Sequence, residues 1–455
     1  MPRAGALLWL LGGLLGAGPS LGQPLLDGEA LPAGLEARRL EARVDRERPW
    51  AGQGSLRLTP DKAAERPAIS LPLPEGLDPS RARALAAHLR ARNAGPLELR
   101  WTFADGRGRP LFVRPVKWEG GPSWTRVEWP LAHFRWGDQP GRWQEVRRLT
   151  LVLEEAPDAL WIDDLELVPA GPGQGPWLAP EELEDLAGGR GRVSARLGPV
   201  WVSTPGALPA DARERFQRRA EAVDAWLRGL APAGGAPPLD PPHPVPLLVF
   251  RDAPARARFL ERLAVTWGAR IVGGELPGLT LQDVATALAS PAGLDRPVNL
   301  HEVVHALAAR ALRVRSGDGP ADWLQEGLAY YVQLALFPTS LGEPSFAAAF
   351  ARDPGPGGWT PLGELFSAER GLPAGFDTQV ASLVAFLALE RPEWLRGLCA
   401  GLGAGQPTAA ILTGLGTDPA GVQAAWLAWG RARYPAGSPT APLPPLPGWE
   451  ALVQR

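Results

Sequence analysis

Two histidines four residues apart enclose a glutamate and two valines in the run His301-Glu302-Val303-Val304-His305. On a helix such positions lie on one face about one turn apart, so both imidazoles reach a single ion. Glu302, rotated by roughly 100°, then points at a water on that ion. Two imidazoles and one carboxylate form a zinc donor set that leaves a fourth position for water. The chemistry this supports is hydrolysis: the metal lowers the pKa of the water from about 15.7 toward roughly 7, and Glu302 takes its proton. Chance occurrence is less plausible here because the chain has only five histidines and spends two on this spacing. His88, His133 and His243 have no partner at ligand spacing and read as structural.

The elements that must position these groups are legible around them. Pro297 fits the first turn of a helix, Asp295 is placed to cap it, and Val298, Val303, Val304, Leu307 and Leu312 give it buried contacts. After a tight Ser316-Gly317-Asp318-Gly319-Pro320 turn comes Ala321-Asp322-Trp323-Leu324-Gln325-Glu326-Gly327-Leu328-Ala329-Tyr330-Tyr331. This segment strongly resembles the Trp-Leu-x-Glu-Gly-Phe/Leu-Ala stretch of aminopeptidase N relatives and of the peptidase MA-like families, which are gluzincin zinc metallopeptidases. The resemblance covers roughly Val193 to Tyr434, with the two motif segments as its specific part. It implies that Glu326 is the third ligand of one Zn2+ ion and Glu302 the general base, in an α+β, mainly helical domain that cleaves a peptide or protein substrate. Two helices joined by a short loop would bring Glu326 opposite the histidines, and Gly327 would allow close packing. The strand at Leu279 to Gln282 takes the place of the family's edge strand, to which a peptide pairs by strand addition. Relatives also carry a tyrosine that donates to the oxyanion, at the start of a later helix. Phe376 to Leu387 matches that helix, and Asp377 stands in the tyrosine's place. Loss of such a donor costs about a hundred- to a thousandfold in rate. Tyr330, Tyr331 and Tyr434 are the chain's only tyrosines. Of these, Tyr330 and Tyr331, with Asp322, are the candidates for contacting substrate or supporting the ligands.

Ahead of this region, Gly54 to Leu58, Ala68 to Leu71, Leu97 to Phe103, Trp124 to Trp129, Leu149 to Leu153 and Leu160 to Leu167 alternate apolar and polar residues between Gly, Pro and Asp breaks. Regularly spaced strands of this kind predict a β-sandwich, interrupted by one helix near Arg81 to Arg90. Gly-Ser-Leu-Arg-Leu near its start, the segment from Trp124 to Phe134 and the closing Ile-Asp-Asp-Leu strand resemble the galactose-binding-like jelly rolls found beside many exported hydrolases. Asp163 and Asp164 are candidate caps of a calcium site, against the alternative of exposed turn residues. Trp101, Trp118, Trp124, Trp129, Trp136, Trp143 and Trp161 read first as core and second as a platform for carbohydrate. Between this region and the motif helix, a strand at Val200 to Thr204, a helix from about Ala210 to Leu230, a strand at Val245 to Phe250 and a helix from Pro254 to Thr266 are expected.

The expected organisation is thus multidomain: a signal peptide over 1–22, an all-β jelly-roll sandwich over 24–170, a linker over 171–190, a gluzincin-type domain over 191–436 and a Pro-rich tail over 437–455. The leader reading rests on Arg3, the apolar run Ala4 to Leu15 and the small residues that follow. It places the protein outside the cytoplasm, in a bacterial periplasm, on the cell surface or secreted, with no transmembrane segment once the leader is removed. A net charge of −2 over 455 residues gives no footprint for nucleic acid. The single cysteine, Cys399, cannot form an intrachain disulfide, so the folds must rest on their cores. The alternative function is a weak or inactive metallopeptidase-like binding protein whose sandwich takes carbohydrate or another cell-surface polymer.

Overall fold

The computed structural model describes residues 21–47, 49–61, 65–137, 139–155, 157–171, 174–231, 239, 241, 243–271, 276–290, 293–315, 319–341, 346–352, 358–367, 372, 375–436 and 441–454. The expected leader lies outside these but for its last two residues, as does Ser316-Gly317-Asp318. The chain divides into two compact units: one runs to Arg135 and takes in Arg142–Trp177, and the other holds Trp136–Gly141 and Leu178 onward. No helix among the described residues is long and apolar enough to cross a membrane.

The first unit is a sandwich of two six-stranded sheets. One sheet runs Leu40–Asp45, Ser55–Pro60, Leu160–Pro169, Ala82–Ala91, Thr125–Pro130, with Pro24–Leu26 also on Leu160–Pro169. The other runs Arg135–Trp136, Pro110–Gly120, Gly95–Ala104, Arg148–Leu153, Ala68–Pro72, Glu36–Arg38. The long strands pair antiparallel, and the chain crosses repeatedly from sheet to sheet in the manner of a jelly roll. Alternation explains the register: Leu149 and Leu151 face Phe103 and Trp101 across the ladder, and all four are buried. The tryptophans are mainly core. Trp101, Trp118, Trp129, Trp143 and Trp161 are buried, Trp143 stacks on Phe112 at 3.9 Å, and only Trp124 of this set is half-buried.

Two expectations for this unit are corrected. Ala82–Ala91 is a central strand, not a helix: it is paired on both sides, by Leu160–Pro169 and Thr125–Pro130, and is buried along nearly its whole length. Its alanines favour a helix locally, and the ladder bonds and burial override that preference. Asp163 is fully buried rather than an exposed turn residue, and its carboxylate accepts N–H groups from Trp50, Ala51 and Asp164, which ties down a loop.

The second unit is built on a five-stranded sheet in the order Val193–Leu197, Val200–Thr204, Val245–Phe250, Val284–Leu288, Gly278–Leu281. The three inner strands are parallel and the two edges antiparallel. Val245–Phe250 is buried at every position, as a strand covered on both faces must be. The helix Ala210–Leu230 buries Phe216, Ala220, Val223 and Leu227 on one stripe. Next come the motif helix Pro297–Leu312 and the ligand helix Asp322–Leu336. The ligand helix packs on both the motif helix and the later helix Phe376–Glu390. Gly327 serves the second of these contacts, since a Cβ there would meet Val384 at 2.7 Å and the Val380 carbonyl at 3.1 Å. Cys399 is buried in this core, which pushes its thiol up to about 12.

Two local expectations differ here as well. Arg296, not Asp295, precedes the motif helix, and the Asp295 carboxylate is taken by Arg215 at 2.9 Å and Arg219 at 2.5 Å. Charge-assisted bonds from two guanidinium groups outcompete one helix N–H. The Pro-rich segment expected as a tail is packed where it is described: Leu443, Leu446 and Trp449 are buried, Tyr331 donates to the Pro444 carbonyl and Arg219 to that of Leu452.

Candidate metal centre

The motif helix is apolar nearly all round and buried from Asn299 to Leu312, so the two imidazoles are fixed by packing before any ion is considered. His301 and His305 bring their Nε2 atoms within 3.1 Å of each other, with the rings tilted by 78°. From the ligand helix, Glu326 places Oε2 at 3.6 Å from His301 Nε2 and Oε1 at 3.5 Å from His305 Nε2. Among the described residues this is the group whose donor atoms all lie within 4.8 Å of one another.

The donor set fits a tetrahedral zinc ion. Ligand atoms 2.0–2.1 Å from zinc at tetrahedral angles stand about 3.3 Å apart, and the three separations of 3.1, 3.5 and 3.6 Å bracket that value. The hydrogen bonding points the same way. Gln325 donates its amide to the Val314 carbonyl, which turns its Oε1 toward His305 Nδ1 at 3.1 Å. His305 therefore carries its proton on Nδ1 and presents the Nε2 lone pair to the Glu326 carboxylate, an arrangement that requires a cation or a proton between them. Burial alone would lower the His305 pKa, and the carboxylates of Glu326 and Glu302 outweigh it and raise the value to about 9. Burial likewise acts to raise Glu326, and the two imidazoles hold its carboxyl well below the usual range. His301 Nδ1 is buried without a hydrogen-bond partner among the described residues.

Glu302 faces the edge strand Gly278–Leu281. The Thr280 hydroxyl, with one proton to donate, lies 2.7 Å from the Glu302 carboxylate and 2.9 Å from the Glu302 backbone carbonyl. Gly278 leaves the space the side chain occupies: a Cβ there would lie 2.4 Å from Glu302 Oε1 and 2.6 Å from its Cγ. The hairpin that carries both residues is tied to the motif helix by Arg310, which donates to Asp283 at 2.9 and 2.7 Å.

Of the remaining candidates, Tyr330 is at the centre and the others are not. Its ring packs edge-on to His301 with centroids 4.5 Å apart. Tyr331, one position on and rotated by about 100°, is turned toward Trp226 and spends its hydroxyl on Pro444. Asp322 opens the ligand helix, half-buried, outside the donor group. Asp377 lies in the first turn of Phe376–Glu390, where it accepts from the Thr378 N–H. Sequence reasoning did not single out Gln325, Thr280 or Gly278. A glycine at the mouth of an apolar strand is a signal of close approach by another group, and that was the available clue for Gly278.

No protein-family model matches the sequence, and none of the curated proteins matches it. Solved structures do match. A family 11 carbohydrate-binding module of a cellulosomal cellulase of Clostridium thermocellum is 14% identical, spanning 33% of this chain and 97% of the module, with a TM-score of 0.28. The CBM22-1 xylan-binding domain of Paenibacillus barcinonensis is 18% identical, spanning 34% of this chain and 99% of that domain, with a TM-score of 0.26. Likenesses this distant carry no argument about ligand or activity.

Proposed function

We propose that the chain is a zinc-dependent hydrolase of peptide bonds, with His301, His305 and Glu326 holding one zinc ion and Glu302 serving as general base. The observation that carries this reading is the convergence of three donors from two helices at tetrahedral spacing, with a positioned carboxylate beside them. Bound there, zinc would polarise a water and the scissile carbonyl. Glu302 takes a proton from the water as its oxygen bonds to the carbonyl carbon, and returns that proton to the amide nitrogen as the C–N bond breaks. Thr280 and Gly278 hold the carboxylate in place for both transfers. Among the described residues Gly278–Leu281 pairs within the sheet on one side only, with Val284–Leu288, and its other edge suits an extended peptide added as a further strand. The leader-like run at the start of the sequence argues for this activity outside the cytoplasm. The test is digestion of a peptide library by the purified protein and by Glu302→Gln. The parent should cleave and the variant should lose about 10²–10⁴-fold while keeping its metal. Equal cleavage by both would remove Glu302 from the reaction.

A second reading concerns the sandwich and rests on Trp50, which is 49% exposed and stacked on His88 at 4.1 Å. A fixed, half-exposed indole is a platform on which a sugar ring can stack, so this unit takes carbohydrate or a cell-surface polymer. Affinity electrophoresis through soluble polysaccharides should show retardation that Trp50→Ala abolishes; free migration of the parent through every polymer would end this reading. Retardation without any peptide cleavage would identify a metallopeptidase-like binding protein instead of an enzyme.

A further inference from the structure

Two of the chain's three tyrosines spend their hydroxyls on backbone carbonyls, Tyr331 on Pro444 at 3.1 Å and Tyr434 on Pro442 at 3.2 Å. Tyr330 does not: among the described residues its hydroxyl has no hydrogen-bond partner, although the ring is held edge-on by His301 at 4.5 Å and by Phe376 at 6.0 Å. It follows Glu326 by four positions on the same helix, so the two side chains rise from one face. The hydroxyl is therefore uncommitted and rises from the helix face that carries Glu326.

We propose that Tyr330 is the residue that donates a hydrogen bond to the oxyanion formed when water adds to the scissile carbonyl, a role that rests on the hydrolase reading above. As the new C–O bond forms, the carbonyl π pair moves onto oxygen and the phenol O–H bonds to it; the pair returns as the C–N bond breaks, and the phenol keeps its proton throughout. The donor thus comes from the zinc-ligand helix itself, four residues after Glu326, not from the later helix.

The test compares the zinc-loaded parent with Tyr330→Phe, which keeps the ring packing, and with Tyr331→Phe as a control. Three readouts are needed: zinc affinity by competition with a chromophoric chelator, kcat and KM on a cleaved peptide, and calorimetric titration with inorganic phosphate as a tetrahedral oxyanion. Tyr330→Phe should keep zinc affinity within about twofold, lose kcat by about 10²–10³-fold with little change in KM, and bind phosphate about tenfold more weakly. Tyr331→Phe should match the parent in all three. Unchanged kcat in Tyr330→Phe, or loss of its zinc, would overturn the proposal, the latter by showing that the residue only props the site. If the parent holds zinc but cleaves nothing, the peptidase reading fails by itself and phosphate decides this one: weaker binding in Tyr330→Phe upholds the donor, equal binding rejects it. A parent that holds no zinc overturns both.

Discussion

A single methyl group added at Gly278 should disable catalysis while leaving the metal in place. A Cβ there meets Glu302 Oε1 at 2.4 Å, Cγ at 2.6 Å and Cδ at 2.8 Å, all inside the 3.0 Å below which real Cβ contacts essentially never fall. The Thr280 hydroxyl on the same strand holds the carboxylate against that space at 2.7 Å, so relief requires breaking this bond or swinging the side chain away. Displacing a catalytic group by about 1 Å costs on the order of 10²-fold in rate. Gly278 does not have the positive φ that would itself forbid alanine, and glycine inside a strand is otherwise worth about 0.5–1 kcal/mol less than alanine. Gly278→Ala should therefore fold, melt close to the parent and bind zinc with affinity within about twofold, yet lose about a hundredfold in kcat. Peptide hydrolysis measured beside chelator competition reads both quantities. Full activity in Gly278→Ala would refute the placement of Glu302 against this strand, and loss of zinc would show that the strand supports the ligands and not the base.

Gln325→Leu removes the acceptor that fixes His305 Nδ1 and should weaken zinc binding by about 10–100-fold, as chelator competition would show. Trp449→Ala empties a buried site packed edge-on to Trp226 at 5.7 Å and should cost about 3–5 kcal/mol in urea unfolding; a neutral result would mean the C-terminal segment does not hold the second unit together. His133 in the sandwich has its pKa lowered to about 4, by burial and then by Arg114. Its folded value lies below the unfolded value near 6.5, so the unfolded chain binds the proton more readily between those limits and stability falls as pH drops through that window. After allowance for partial exposure the loss attributable to His133 is on the order of 1–2 kcal/mol, and His133→Gln should remove it from the difference between unfolding at pH 7 and pH 4.5.

How much was legible in the chain depended on whether the signal was local. The strands at Leu149 and Leu160 and the helix from Ala210 to Leu230 carry their periodicity in sequence, and the structure places them within a residue or two. Ala82–Ala91 was misread because its alanines speak for a helix and only the two flanking strands speak against it. The shared face of His301 and His305 follows from helix geometry alone. Glu326 needed a family resemblance, because nothing in its spacing shows which turn of the second helix faces the first. Thr280 and Gln325 were out of reach for a related reason. Their roles exist only once the edge strand lies across Glu302 and the Gln325 amide is anchored on Val314. Tyr330 and Tyr331 are equivalent in composition, and the rotation between them sends one to the ligands and the other to the C-terminal segment.

The most direct test is anomalous diffraction at the zinc edge from crystals of the protein grown with zinc. The account predicts one strong peak about 2.0–2.2 Å from His301 Nε2, His305 Nε2 and a Glu326 oxygen. No peak between the two helices, or a peak with Glu326 turned away from it, would contradict the account.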